Sequence, residues 1–413
     1  MIKRLLLIVI LLALPLASAQ AQMEVRTLIF AAVTAEGLQY FEVGDYMAPT
    51  TGTAQYTRYS SLTWNADGSI LAFMGHDAEY VPALVIIDRP TQTFTELVKP
   101  VYYGSPVSFT ADGQILYAAS SGEFVTTDGP GGEVMNVFTI APTPSAAPIQ
   151  IGSYTLGVGC GGGSSLPADW AYWTESEGGP GIARPTLALT PFGLLHSQNC
   201  TGVGTALLDL TTNTDTPLGS GLAWAVVSPD GSRVAGIGYG SSWTDAATAT
   251  LVMVDLATKA ITIVGSAPDV TQVIWGSSTS LIYSTRTDTG QAIPTTPDEQ
   301  QKVGDALGYM APTALPLFSV ALHHLDLSTG TDTVVYTAPA YAIGRMSVSS
   351  DGSMLLFSQV PNVDAMVAAI LGGTTELTPA LAPVEAQMLS LAQPDQLPTG
   401  LGYLNQVTIN PAM

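Results

Sequence analysis

The sequence predicts an all-β fold, a β-propeller of four-stranded antiparallel blades, and three observations carry that prediction. First, an apolar strand, an Asp-Gly turn and a second apolar strand recur. They read SLTWNADGSILAFMG from Ser61, PVSFTADGQILYAAS from Pro106, AWAVVSPDGSRVAGIGYG from Ala223 and RMSVSSDGSMLLFSQ from Arg345. Asp-Gly between alternating hydrophobics signals a hairpin, because glycine supplies the positive φ of a tight turn. Second, a later phrase closes an apolar strand on an aspartate and adds a polar turn and a fourth strand. It runs LVIIDRPTQTFTEL around Asp88, ALLDLTTNTDTPL around Asp209, LVMVDLATKAITIV around Asp255 and LHHLDLSTGTDTVV around Asp326. Third, only 11 % of residues are charged while Gly, Thr, Ser and Ala abound, which suits short strands and turns better than long helices.

Taken in order, the chain opens on Lys3 and Arg4, an apolar run from Leu5 to Leu16, and small residues offering Ala17-Ser18-Ala19 and Ala19-Gln20-Ala21 for cleavage. This is the pattern of a secretory signal peptide over residues 1–21, leaving residues 22–413 as a single propeller domain. No later stretch is apolar for long enough to cross a bilayer, so the mature chain is expected to be soluble and secreted or periplasmic. VRTLIFAAVTAEGLQYFEVGDYM from Val25 gives two strands around Glu36-Gly37. Two degenerate hairpins fill the gaps between the clear ones. PTLALTPFGLLHSQ from Pro185 turns at Phe192-Gly193, and VTQVIWGSSTSLIYSTR from Val270 turns at Ser277-Ser278. A final blade joins the first two strands to VEAQMLSLAQPDQLPTGLGYLNQVTI from Val384, giving seven blades closed by both termini, with six as the alternative.

The SPDG and ADG hairpins followed by VDLAT resemble the TolB-type, WD-like repeats of periplasmic and secreted β-propellers, from about Ser60 to Leu377. That resemblance implies the fold and a role in an envelope complex. It leaves the activity open, since these repeats occur in scaffolds, binding proteins and hydrolase accessory domains alike.

In a propeller the Asp-Gly turns lie on one face, and the second-to-third loops and blade links lie on the other. The length is spent on that second face. An insertion over 154–185 carries Trp170, Tyr172 and Trp173 beside Asp169, Glu175 and Glu177, a combination suited to stacking on a sugar or gripping a peptide. The same rings would also suit a small core beneath the loop. His76, Trp243 and Arg286 fall in other loops of this face and complete the expected ligand-binding set. A second insertion, 286–318, reads as a loop with a helix capped by Thr296, opened by Pro297 and running to about Gly308. Cys160 and Cys200 are the two cysteines, and an even count in an exported chain predicts that they pair.

Other chemistries fit less well. With the signal peptide removed, 10 basic residues face 33 acidic ones for a net charge of −23, which argues against nucleic acid and anionic membrane surfaces as partners. Gly157, Gly159 and Gly162 spell G-x-G-x-x-G, but SSLPADW follows where a dinucleotide site needs a helix. No nucleophile elbow, P-loop or EF-hand spacing occurs, and four scattered histidines define no metal cluster. His323 and His324 are adjacent in a strand and so face opposite sides. The repeated Asp88, Asp209, Asp255 and Asp326 are explained as turn caps. The expected function is recognition of a protein, peptide or glycan by an exported propeller that has no cofactor and no chemistry of its own. The alternative is a carbohydrate-active hydrolase or lyase drawing on Asp77, Glu79, Asp128, Asp169, Glu175, Asp245, Arg286 and Asp288.

Overall fold

The computed structural model describes residues 28–34, 37–43, 58–65, 67, 69–76, 81–88, 90–91, 93–99, 101, 106–125, 132–157, 186–198, 204–219, 221–238, 249–265, 269–294, 296–298, 300–301, 313–340, 342–348, 354–360, 385–390 and 399–403. A two-stranded hairpin, β1 (Leu28–Thr34) with β2 (Gly37–Val43), comes first. Six four-stranded antiparallel sheets then follow in chain order. Blade one holds β3 (Arg58–Trp64), β4 (Ile70–His76), β5 (Pro82–Asp88) and β6 (Thr93–Val98). Blade two holds β7 (Ser108–Phe109), β8 (Ile115–Val125), β9 (Gly132–Ile140) and β10 (Ile149–Gly157). Blade three holds β11 (Leu187–Thr190), β12 (Gly193–Ser197), β13 (Thr205–Asp209) and β14 (Thr214–Pro217). Blade four holds β15 (Leu222–Val227), β16 (Arg233–Gly238), β17 (Thr250–Asp255) and β18 (Ile261–Ile263). Blade five holds β19 (Val270–Ser277), β20 (Ser280–Pro294), β21 (Ala314–Asp326) and β22 (Thr331–Ala338). Blade six holds β23 (Ala342–Val348), β24 (Met354–Val360), β25 (Glu385–Ser390) and β26 (Thr399–Tyr403).

The blades stack because their middle strands are apolar on both faces. On β8, Ile115 and Tyr117 pack against Met74 and Ile86 of blade one, while Leu116 and Ala118 pack against Leu194 and Leu208 of blade three. The same division continues along the chain. Leu195 and Leu207 meet Val234 and Val254, Ile237 and Leu251 meet Val273 and Tyr283, and Ile282 and Leu322 meet Leu355 and Phe357. Each fully buried side chain of this size contributes roughly 1.5–3 kcal/mol, so every blade depends on its neighbours. First strands lie side by side, β3 with β7, β15 with β19 and β19 with β23, as blades arranged about an axis require. This is a β-propeller arrangement.

The turns form for the reasons read in the sequence. In the fourth blade Gly231 N–H donates to Ser228 O at 2.8 Å and Ser228 N–H to Arg233 O at 2.8 Å, with Gly231 at φ 71°. In the third blade the turn is Pro191-Phe192 and Gly193 opens β12. A Cβ on Gly193 would stand 2.3 Å from Leu208 O, so only glycine fits there.

Two expectations are corrected. The described strands after Val384 do not join the N-terminal hairpin, because β25 pairs with β24 and β26 with β25, completing blade six. The blade built from both termini is therefore replaced, and the described residues make six four-stranded sheets. The insertion expected as a loop from Arg286 begins and ends as strand, and so does the connection between the second and third strands of blade two. β8 runs to Val125, and β20 runs to Pro294 before β21 returns from Ala314. Beyond Thr285 and Val320 no third strand pairs with this second ribbon among the described residues, since β19 pairs only as far as Thr285 and β22 only as far as Val320. Along its β20 arm the described residues from Thr287 onward are exposed on both faces, so the apolar alternation that reveals a strand is missing. At its tip, residues 297–298 and 300–301 are helical, with Gln300 N–H donating to Thr296 O at 2.9 Å, and the rest of the expected helix lies outside the described residues.

Candidate functional site

Within each sheet the second strand ends and the third begins at one end, and the two ribbons of blades two and five extend from that end. The segment 158–185 also leaves and returns there. Gly157, the last residue of β10, pairs with Gly132 and donates its N–H to Gln198 O at 2.8 Å. On the returning side, Thr186 N–H donates to Ser197 Oγ at 2.7 Å and Ser197 N–H to Thr186 O at 3.0 Å. Both stems of the segment are thus stitched to the last residues of blade three's second strand.

Of the residues expected to bind ligand, Trp170, Tyr172, Trp173 and Trp243 lie outside the described residues, as do Cys160 and Cys200. His76 closes β4, where its backbone pairs with Arg58 and Pro82. Arg286 sits within β20 rather than in a loop; its N–H donates to Asp269 O at 3.2 Å and its guanidinium lies over the Phe318 ring at 4.3 Å. Asp288 occupies the irregularity in the ribbon and accepts the Gly290 N–H at 2.8 Å. Asp77, Glu79, Asp128, Asp169, Glu175 and Asp245 lie outside the described residues. Among the described residues no group of three or more His, Cys, Asp or Glu is placed to hold a metal ion, and no helix is long and apolar enough to cross a membrane.

The histidines take part in two clusters that sequence reading missed. His196 on β12 is fully buried; its Nε2 lies 2.9 Å from Asp215 Oδ1 on β14, its Nδ1 lies 3.0 Å from Ser197 O, and Tyr154 of blade two stacks on it at 4.1 Å. In blade five, His323 Nδ1 lies 3.3 Å from Asp332 Oδ1 and its Nε2 lies 3.2 Å from Thr285 Oγ1. Tyr283 stacks on His323 at 4.5 Å and donates its hydroxyl to Asp332 Oδ2. Burial, reinforced by the Asp332 carboxylate, raises the Tyr283 phenol well above its ordinary range, and burial alone pushes Tyr117 up to about 12. No local spacing announces either cluster, because His196 and Asp215 stand on strands separated by β13. As expected, His323 and His324 face opposite sides: their partners in register are Tyr283, packed toward blade four, and Ile282, packed toward blade six.

The repeated aspartates cap turns, as the sequence implies. Asp88 accepts from Thr91 N–H, Asp209 from Thr211 N–H, Asp255 from Thr258 N–H and Asp326 from Ser328 N–H, at 2.7–2.9 Å. These bonds to backbone and hydroxyl donors hold all four carboxyls below the usual range. Asp230 in the hairpin turn is lowered to about 2, first by the Ser228 hydroxyl and then by the Ser232 N–H and hydroxyl.

No family-level sequence model matches the chain, and no curated protein does. Solved structures give distant similarities. TolB from Acinetobacter baumannii is similar with a TM-score of 0.37 and 14 % identity over 71 % of this chain, which spans 58 % of that one. A putative 6-phosphogluconolactonase from Bacteroides uniformis is similar with a TM-score of 0.46 and 12 % identity over 93 % of this chain and 96 % of that one. An oligogalacturonate lyase in complex with manganese gives a TM-score of 0.44 and 13 % identity over 84 % and 78 %. The class of the molecule, a β-propeller, rests on its own sheet order and packing.

Proposed function

We propose that the chain is an exported propeller that recognises a protein, peptide or glycan through the end bearing the second-to-third strand connections. The carrying observation is how side chains are used along the sheets. The repeated aspartates cap turns and the two histidine clusters lie within or between blades, whereas the exposed ends of β8 and β20 and both stems of the 158–185 segment gather at one end. Trp170, Tyr172 and Trp173 within that segment, with His76, Trp243 and Arg286 around it, form the proposed binding set. The leading apolar run accounts for export to the periplasm or the medium, and Cys160 paired with Cys200 would tie the segment down.

The test is a glycan and peptide array probed with the mature protein beside the Trp170→Ala/Trp173→Ala variant. Capture by the wild type, lost in the variant with the melting temperature nearly unchanged, supports the reading. A variant that binds as well as the wild type, or a wild type that captures nothing, overturns it. Cleavage of an arrayed glycan would establish the hydrolase or lyase alternative instead.

A further inference from the structure

The surroundings of His196 set a donor count that a neutral imidazole cannot meet. Nδ1 faces Ser197 O, a carbonyl that only accepts, and Nε2 faces Asp215 Oδ1, which only accepts when ionised. A neutral ring carries one N–H, so against an ionised Asp215 one nitrogen would point a lone pair at an oxygen lone pair about 3 Å away. Both contacts are hydrogen bonds only if the pair holds one more proton, as imidazolium with carboxylate or as imidazole with carboxylic acid. Asp215 from β14 is the one charged side chain bonded to the ring among the described residues. Tyr154 from β10 covers its face, and its partners in register on β11 and β13, Leu187 and Ala206, are apolar.

The position of this ring gives the proton a consequence. Ser197, whose carbonyl His196 bonds, holds Thr186, and the next residue, Gln198, holds Gly157. Tyr154, stacked on the ring, lies three residues before Gly157 on β10. We propose that His196 and Asp215 form a proton-dependent clasp on the two stems of the 158–185 segment, closed while the pair keeps its extra proton and loosened when that proton is lost. The sign follows from the donor count: the clasp is complete on the acid side, where the pair keeps its extra proton, and fails as rising pH removes it. An exported protein meets the pH of its surroundings, so the stems would respond to it directly. Nothing in the clasp requires that the segment bind a ligand.

The test is amide hydrogen exchange in the full chain at Gly157, Ser197 and Gln198, corrected for the intrinsic pH dependence of exchange. In the wild type, exchange at these amides is expected to accelerate about tenfold between about pH 5 and about pH 8, the size of one lost charge-assisted bond. Asp215→Asn should abolish the acceleration, because its amide donates to Nε2 and so satisfies a neutral ring whose Nδ1–H stays on Ser197 O. His196→Gln, which has no titrating ring, should also be flat and serves if the asparagine variant does not fold. A flat wild-type profile, or a folded variant that follows the wild type, overturns the proposal.

Discussion

His196 in blade three and His323 in blade five each face an aspartate within one sheet and an aromatic ring across their plane, yet they ask for different protonation states. Around His196 both ring nitrogens meet acceptors, Ser197 O and Asp215. Around His323 one nitrogen meets Asp332 and the other the Thr285 hydroxyl, which donates as readily as it accepts. A neutral ring with Nδ1–H on Asp332 and the Thr285 hydroxyl on Nε2 leaves nothing unmet. The second cluster is an ordinary bolt within the fold, with Tyr283 supplying a further bond to Asp332. The lesson is that the partner of the second nitrogen, and not the carboxylate both share, decides whether a buried His–Asp pair must hold a charge.

Truncation separates the two most strongly. His196→Ala empties a fully buried site and strips Asp215 of its partner, and it should cost roughly 2–3 kcal/mol, softened because Asp215 is 38 % exposed. His323→Ala should cost about 1 kcal/mol, because Asp332 keeps the Tyr283 hydroxyl. Urea unfolding of both variants measures the difference, and equal losses would break the contrast. A smaller effect comes from Asp230, an exposed carboxylate served by hydroxyls and a backbone N–H with no histidine involved. Its folded-state value is depressed to about 2, so its contribution is present above its ordinary value near 3.8 and is lost as pH falls toward about 2. Asp230→Asn should therefore flatten the acid limb of the melting temperature against pH and leave the alkaline limb, where the His196 clasp acts, unchanged.

Much of the fold is legible because its signals are local. Asp88, Asp255 and Asp326 each pair with the first residue of the preceding strand, Ile70, Arg233 and Ser280, and Asp209 ends β13 with the same cap, so a single turn chemistry marks the third strand of four blades. Where that residue changes, the reading fails. Ser390 holds the same register opposite Met354, and without an aspartate there the C-terminal strands look like a separate blade. Ile140 does the same opposite Ile115, although the strong hairpin before it keeps blade two readable. The ribbons are missed because exposed strands show no apolar alternation. The His–Asp clusters are missed because hydrogen bonds across a sheet leave no spacing rule in the sequence. The aromatic segment is visible as composition alone, and its stems at Gly157 and Thr186 become meaningful only beside Ser197 and Gln198.

The central contrast is tested most directly by nitrogen NMR of the imidazole side chains followed from about pH 5 to about pH 8, with signals assigned through single His→Gln variants. The account predicts that at the acid end His196 carries protons on both ring nitrogens, or shares one with a protonated Asp215, and gives one up toward the alkaline end, while the neutral ring of His323 carries its proton at Nδ1. A His196 that is neutral beside an ionised Asp215 already at the acid end, or the same protonation pattern at both rings throughout, would contradict it.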